Sequence, residues 1–383
     1  FGFITTNSLR QAFARRVLEP FLNDQKKPLS LLFAIPDHPW MDSVDGAAVR
    51  IAMTVAGPGK RAGRLLTVAH EEREDREAEG RRVVLTEKRG LIFANLQTGA
   101  NIGAVKSLRA NARLTSRGVM LFGSGFIISA AVAGALGLGR VAGLEKYIRP
   151  YLNGRDMLQS SRNAFAIDFF GLSALEAQQR FPEAFQHVLN TVKPERDANR
   201  DKAIRANWWL FGRTRQEIRP ALKGLQRYIA TVETSKHCLF QFLDGNVLPD
   251  NMLIAIALDD AAHVATLSSR FHVTWALAAG GRLGVGNDPR YNKSKCFDPF
   301  PFPDCAPVQK SRLNDLGERL DAHRKARQAK HPKLTLTAMY NVLEKLRAGE
   351  AIEGRDKEVY DQGLIGILKD LHDQIDASVA EAY

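Results

Sequence analysis

The sequence predicts a mixed α+β protein, and three observations carry that prediction. Runs rich in β-branched and aromatic residues, such as Leu29–Ile35, Arg227–Val232 and Met252–Leu258, have strand length and are bounded by turn residues. Between them lie segments with apolar residues at helical spacing, for example Val264, Leu267, Phe271 and Trp275. From Pro307 onward the pattern is helical throughout. With 383 residues, 45% of them hydrophobic, the chain can build two or three cores.

Taken in order, Gly2–Thr6 reads as a strand and Asn7-Ser8 as a turn. A helix follows with Leu9, Phe13, Val17 and Leu18 on one face, ended by Pro20. Leu29–Ile35 is apolar throughout, as in a strand buried on both faces, and Pro36-Asp37-His38-Pro39-Trp40 stops it. A strand over Ala47–Val55 comes next, then a hairpin of Arg64–Ala69 and Arg82–Leu96 with a charged tip. At about Asn101 glycine, serine and basic residues replace buried strands, which places a domain boundary there. The uncharged stretch Gly118 to Gly139 is long enough to raise a membrane span. Its glycines argue against one, as does its division into strand VMLF, turn Gly123-Ser124-Gly125, strand FIIS and a helix capped by Ser129 and ended by Gly137.

Further on, Ile167–Phe170 reads as a strand, and Ser173 with Glu176 forms a capping-box pattern for a helix. Pro182 opens a second helix and Pro194 a third, which carries Arg196, Arg200, Lys202 and Arg205. Trp208-Trp209-Leu210-Phe211 is an aromatic knot of core type. Strands Arg227–Val232, Leu239–Leu243 and Met252–Leu258 are joined by turns at 234–237 and 244–246, and His263–Ala278 is an amphipathic helix. Gly280–Pro303 sets glycine turns and Asn287-Asp288-Pro289 beside Arg290, Tyr291, Lys293 and Lys295. Its end, Phe297-Asp298-Pro299-Phe300-Pro301-Phe302-Pro303, suits neither a helix nor a central strand and reads as a rigid connector. Helices Pro307–Lys330, Thr337–Ala348 and Val359–Ala382 complete the chain.

Lys and Arg number 54 against 42 Asp and Glu, and the net charge of +12 favours a polyanionic partner, nucleic acid or an anionic membrane surface. Three scattered cysteines make no metal-ligand spacing, so no metal site and a reduced, cytoplasmic setting are expected. Phe1-Gly2-Phe3-Ile4 has neither an initiating Met nor a basic leader, which reads as a piece of a longer protein without a signal peptide. Asp37-His38 has the side chains of an acid/base pair, with a structural role for His38 equally open. Gly123-Ser124-Gly125 lacks the third glycine of a nucleotide-binding loop. Asp298-Pro299-Phe300-Pro301 is not the polar-Pro-Pro-aromatic signature of amino-methyltransferases, and no such tetrapeptide occurs in the chain, so no catalytic residue is assigned. Lys236, His237, Asn287, Asp288 and Arg290 lie in turns and have the side-chain types that read base edges, with an ordinary solvated loop as the alternative for each. Tyr147, Arg149, Tyr151, Arg155, Arg196, Arg200, Lys202, Arg205, Lys293 and Lys295 suit a phosphate backbone, and a solvated helix face explains Arg196, Arg200, Lys202 and Arg205 equally well.

Ten ordered pieces carry a resemblance over essentially the whole chain: GFITTNSLRQ, LLFAIPDHPW, AAVRIAMTV, IDFFGLS, WWLFG, RYIATVETSKH, FLDGNVLPDN, LSSRFHVTWA, GVGNDPRY and FDPFPFP. They are similar to the C-terminal half of the MmeI-like bacterial DNA methyltransferases, class I S-adenosylmethionine-dependent enzymes of restriction–modification and phage defence that methylate adenine N6. The resemblance implies that residues 1–103 are the C-terminal part of a Rossmann-like methyltransferase sheet, 104–303 a β-rich target recognition domain with inserted helices, and 304–383 a C-terminal helical domain. It implies that Thr6, Asn7 and Ser8 lie near the cofactor and that Pro36, Asp37, His38 and Trp40 line the same cleft. Double-stranded DNA is the implied partner and S-adenosylmethionine the implied cofactor of the full-length enzyme. The family's glycine-rich cofactor motif and Pro-Pro-aromatic motif are not in this sequence. The expectation is therefore a DNA-reading half that does not bind the cofactor tightly and transfers no methyl group without an N-terminal methyltransferase portion. A non-catalytic DNA-specificity module serving a separate methyltransferase or nuclease subunit is the alternative, and an RNA-modifying enzyme is disfavoured only by the resemblance.

Overall fold

A computed structural model describes residues 1–10, 14–40, 49–73, 81–283 and 288–383. The chain divides into two units, Phe1–Lys106 with Ala278–Arg282, and Ser107–Leu277 with Leu283–Tyr383.

In the first unit, strand β1 (Gly2–Thr6), helix α1 (Arg15–Leu22) and strand β2 (Leu29–Pro39) are followed by β3 (Arg50–Pro58), β4 (Gly63–Arg73) and β5 (Arg81–Gly90). They form one sheet in the order β1-β3-β2-β4-β5. Strand β3 runs antiparallel to both β1 and β2, so β1 and β2 share a direction with α1 as their crossover. β4 joins β2 in parallel and forms the expected hairpin with β5. Leu31, Ala34, Ala52, Ala56, Leu65, Ile92 and Leu96 make the core.

Several boundaries differ from expectation: β5 ends at Gly90 and not at Leu96, and β3 runs on past Val55 to Pro58. Pro20 sits inside α1 instead of ending it. Proline brings no N–H to the helical bond that the carbonyl of Arg16, an exposed residue, would otherwise accept. Strand β2 also runs through the Pro36–Pro39 segment that was to stop it. Its register against β3 shifts between Ile35 and His38, and its pairing with β4 covers only Phe33 and Ala34, so Pro36, which has no N–H, falls in the irregularity where no ladder bond is demanded.

The second unit begins with β6 (Thr115–Arg117), β7 (Ile127–Ile128), α2 (Ala130–Ala135), β8 (Ile148–Leu152), α3 (Gly154–Leu158) and β9 (Phe165–Ile167). Helices α4 (Ala174–Arg180), α5 (Pro182–Thr191), α6 (Lys193–Asp197), α7 (Lys202–Ala206) and α8 (Arg219–Leu222) precede β10 (Arg227–Val232), β11 (Phe240–Asp244), β12 (Leu248–Pro249) and β13 (Leu253–Ile256). Two four-stranded sheets result, β11-β10-β13-β6 and β12-β8-β9-β7. VMLF and FIIS do not pair with each other. Ile127 and Ile128 pair with β9, whereas Val119 and Met120 bridge to Asp250 and Arg213, so each run takes a distant partner across a sheet and Ser124–Phe126 is a 3-10 turn. Ser129 caps α2 through Val132 N, and Ser173 and Glu176 form the predicted capping box. The single helix expected from Pro194 is two, because Asp201 accepts from Ala203 N at 2.8 Å and starts α7 afresh. Phe211 is buried in the core and Trp208, Trp209 and Leu210 pack against it.

Helices α9 (Ala261–Ser268) and α10 (Arg270–Ala279) replace the single helix His263–Ala278. The Ser269 hydroxyl donates to Thr266 O at 2.6 Å and Asp376 accepts from Arg270 N at 2.8 Å, so side chains satisfy the break. After the short α11 (Lys293–Cys296) come α12 (Pro307–Lys330), α13 (Leu336–Ala348), α14 (Gly354–Gly363) and α15 (Ile365–Ala382). The last two were expected as one and part at Leu364, which adopts φ 47°. A Cβ on Gly317 would lie 2.0 Å from Ala261 O, so only glycine lets α12 approach α9 this closely. Leu313, Leu316 and Leu320 of α12 share a core with Ala262 and Ala265 of α9 and with α13 and α15. No described helix is long and apolar enough to cross a membrane.

Candidate nucleic-acid interface

Glu233 follows a strand of which five of six residues are buried, and its own carboxylate is 6% exposed. A charge there needs partners. Arg290 supplies one, donating from Nε at 3.1 Å and Nη2 at 2.9 Å to a single oxygen, and Arg117 at the end of β6 donates from Nη2 to the other. The backbone fixes the meeting. Thr234 bridges Arg290, Ser235 N donates to Pro289 O at 3.2 Å, and Tyr291 N donates to Glu233 O at 2.7 Å. Segments more than fifty residues apart are thereby laid side by side. Arg117 and Arg290 remain 32% and 37% exposed, so each guanidinium is oriented by the carboxylate while part of its side chain faces solvent, although Arg117 Nε is itself buried without a hydrogen-bond partner.

Asp288 lies half-buried beside this cluster in sequence, and Asn287 lies outside the described residues. Asn341 of α13 accepts from Lys236 Nζ at 2.7 Å and faces His237 Nε2 at 2.9 Å, while Glu344 stands 3.3 Å from His237 Nδ1. Lys236 is exposed and His237 buried, so the turn is pinned to α13 through both. Tyr291, whose ring suits stacking on a base, is instead core, with its hydroxyl 2.9 Å from the buried Nε2 of His272. Burial holds the His272 imidazole down at about 3, which keeps it neutral. The proline-locked run is packed: Phe297 and Phe300 are buried, and Asn111 Nδ2 donates to the carbonyls of Phe297, Asp298 and Phe300 at 3.1, 3.2 and 2.7 Å.

The backbone candidates are scattered. Arg155, Arg200, Lys202 and Lys295 are exposed. Lys293 stands 3.7 Å from Asp298, and Arg205 donates to Asn199 O. Tyr147 packs on Phe181 with Arg180 over its ring. Arg149 donates to the carbonyls of Asn246 and Gly245 at 2.9 and 3.2 Å. Among the described residues none of the eight bonds to Glu233 or to another of the eight. Two further candidates are core residues instead: Arg196 is fully buried and donates to Leu121 O and Leu210 O, and Tyr151 is buried with its hydroxyl donating to Asp250.

In the first unit a cavity of about 630 Å³ has Arg10, Pro36, Asp37, Arg50, Glu71 and Lys88 among its walls. Asp37 accepts from Asn7 Nδ2 at 2.9 Å, Arg10 Nη2 at 3.0 Å and Arg50 Nε at 2.7 Å, and Arg50 reaches on to Glu71 at 2.7 Å. Burial raises the Asp37 carboxyl, but the Asn7 and Arg50 hydrogen bonds and the two guanidinium charges outweigh it and hold the group below the usual carboxylate range. Asn7 and Asp37, thirty residues apart, are thus brought together. His38 turns Nδ1 to Pro39 O and does not pair with Asp37, Thr6 and Ser8 hydroxyls meet at 2.6 Å, and Trp40 is exposed.

A family model describing the MmeI target recognition domain matches residues 107–304. Among solved structures, the Type IIL restriction-modification enzyme MmeI in complex with DNA aligns over 100% of this chain and 46% of its own, at 17% identity and a TM-score of 0.70, which marks a shared fold. The type IIG restriction endonuclease BpuSI aligns over 100% of this chain and 47% of its own, at 9% identity and a TM-score of 0.33. The chain therefore spans less than half the length of either. No curated protein matches. With just over half of its residues matched, the chain belongs to the family of the MmeI target recognition domain.

Proposed function

We propose that this chain is the DNA-recognition half of a site-specific DNA adenine-N6 methyltransferase acting in restriction–modification or phage defence. The observation that carries the reading is the Glu233 cluster, which lies inside the family match and fixes two arginines by one buried carboxylate. A guanidinium held in one plane is the side chain best suited to reading the O6 and N7 of guanine. The net charge of +12 supplies the long-range attraction that duplex DNA requires. In this reading residues 1–103 complete a methyltransferase domain, 104–303 read the DNA, and 304–383 form a helical domain that closes around it.

Strand β1 supports a larger sheet in the first unit. It is an edge strand, yet Phe3 and Ile4, which point to opposite faces, are 51% and 63% exposed. Apolar residues on both faces fit a strand that is interior in the complete enzyme, with an N-terminal methyltransferase portion paired along it. S-adenosylmethionine belongs to that complete enzyme. The cleft residues present here do not by themselves fit it, because the Asn7 amide already donates to Asp37 and the Asp37 carboxylate already accepts from two arginines.

Selection of duplexes from a randomised pool by this chain, followed by sequencing, tests the reading. One enriched site is expected; salt-dependent binding without enrichment overturns sequence recognition. Calorimetric titration with S-adenosylmethionine is expected to show no tight binding, and micromolar affinity overturns the assignment of the cofactor to residues outside the chain.

A further inference from the structure

In the second unit a cavity of about 760 Å³ opens between the segment 214–226 and the turn leading into β12. Arg149, Arg215, Arg219 and Lys223 line it against a single carboxylate, Asp244. The guanidiniums are anchored chiefly by neutral groups. Arg149 donates to two backbone carbonyls, and Arg215 donates from Nε to Gly118 O at 2.9 Å and from Nη2 to Asn251 Oδ1 at 3.3 Å. Arg219 donates from Nε to Thr214 O at 2.7 Å and from Nη1 to Asp168 at 2.8 Å, but its Nη2 is buried with no hydrogen-bond partner. The carboxylate beside Arg215, Glu217, stands 3.8 Å away and is itself exposed.

Binding loop carbonyls accounts for the Nε donors alone. It accounts neither for four cations lining a cavity whose own wall holds one acid nor for Arg219 Nη2, which is buried with no hydrogen-bond partner while its guanidinium stacks on Phe170. Arg219 has Asp168 and Arg215 has the more distant, exposed Glu217, but Arg149 donates to carbonyls. Half-buried charge that is incompletely balanced is costly, and burial already lowers the pKa of Arg149 and Arg215. An anion placed among the three would relieve that cost and find donors whose rotamers are already fixed.

We propose that this cavity is a phosphate-ester site. Arg149, Arg215 and Arg219 clasp the phosphate, and the wall of Phe170, Ile218 and Leu222 covers the sugar or base attached to it. A backbone phosphodiester and a free mononucleotide share this chemistry, and the site does not rest on the DNA-reading proposal.

The test is calorimetric titration of the chain, and of its Arg149→Gln, Arg215→Gln and Lys223→Gln variants, with adenosine 5′-monophosphate, inorganic phosphate, adenosine and a random-sequence duplex. A phosphate-bearing probe is expected to bind, adenosine at least about tenfold more weakly, and each arginine variant to lose about tenfold while melting as the unaltered chain does. Lys223 is exposed, so Lys223→Gln folds and reads the same loss if an arginine variant does not. A salt-dependence slope for the duplex that falls by roughly 1 in Arg149→Gln assigns the phosphate to DNA. Loss of mononucleotide binding with the duplex slope unchanged assigns it to a free nucleotide. Failure of the unaltered chain to bind duplex sinks the DNA reading and leaves the mononucleotide to decide this site. Binding of every phosphate-bearing probe that is absent, or unchanged in the variants that fold, overturns the site.

Discussion

Among the described residues three carboxylates each hold two arginines; Glu87 does so with Arg64 and Arg89 at the surface, whereas Asp37 and Glu233 are more buried, and the company those two keep differs. Asp37 binds Arg10 and Arg50, and Arg50 passes on to Glu71, so among the described residues two acids face two bases. Among the described residues Glu233 pairs with Arg117 and Arg290, two bases on one acid, so the trio carries a net positive charge. Asp37 is also 25% exposed where Glu233 is 6%, so the same ion pair acts through more water in the first case and less in the second. A balanced, half-wet cluster holds its own chain together. An unbalanced cluster on a dry carboxylate orients charge toward something outside the chain.

The strongest blow to that comparison is Glu233→Ala. It strands two half-exposed guanidiniums with no acid, and a loss of roughly 2–3 kcal/mol in urea unfolding is expected, because breaking a buried pair costs more than the pair contributes. A loss below about 0.5 kcal/mol would show that water replaces Glu233 at no cost and would remove the distinction between the clusters. Arg290→Ala leaves Glu233 its Arg117 partner and is aimed at recognition. Loss of roughly 1–3 kcal/mol of discrimination at one base pair is expected, measured by competition among single-base variants of the selected site. Uniform weakening across all variants would make Arg290 a phosphate contact. Asn341→Leu then removes the acceptor shared by Lys236 and His237, and about 1 kcal/mol of stability should go with it. No change would mean the turn is held by the Thr234 and Ser235 backbone contacts alone.

Local signals were legible in the sequence. Helix α12 runs from Pro307 to Lys330 and β10 from Arg227 to Val232 as their periodicity predicts, because the N1 proline and the dense β-branched run each dictate one backbone state. Breaks were not legible where a distant group satisfies the backbone: Asp376 completes the break at Ser269 from more than one hundred residues away. The pairing of β7 with β9 is hidden for the same reason, since a Gly-Ser-Gly turn signals a hairpin whatever lies elsewhere. For the candidate site, the sequence named Arg290, Lys236 and His237 but not Glu233, Arg117 or Asn341, which hold them. One signal was available, an acid closing an otherwise apolar strand in RYIATVET, which demands a basic partner without saying which. Tyr291 shows the limit of residue type: tyrosine suits stacking and burial equally, and only packing decided for burial.

Asp37→Asn, expected to cost no more than Asn341→Leu, tests the balanced cluster by pH. The folded-state pKa of Asp37 is lowered below its unfolded value of about 3.9, so its ion pairs contribute stability above that pH and lose it as pH falls through the folded value. At pH 7 the variant should be less stable by about 1 kcal/mol, since the asparagine still accepts from Asn7 and Arg10 and Arg50 are partly hydrated. Toward pH 2 the wild-type carboxyl is itself protonated and the difference should shrink toward zero. Urea midpoints at pH 7 and at the lowest pH that still gives a folded baseline make the comparison. A difference that stays constant across that range would mean that Asp37 acts through shape and not through charge, and the balanced cluster would then be a hydrogen-bond network in which the arginines play no electrostatic part.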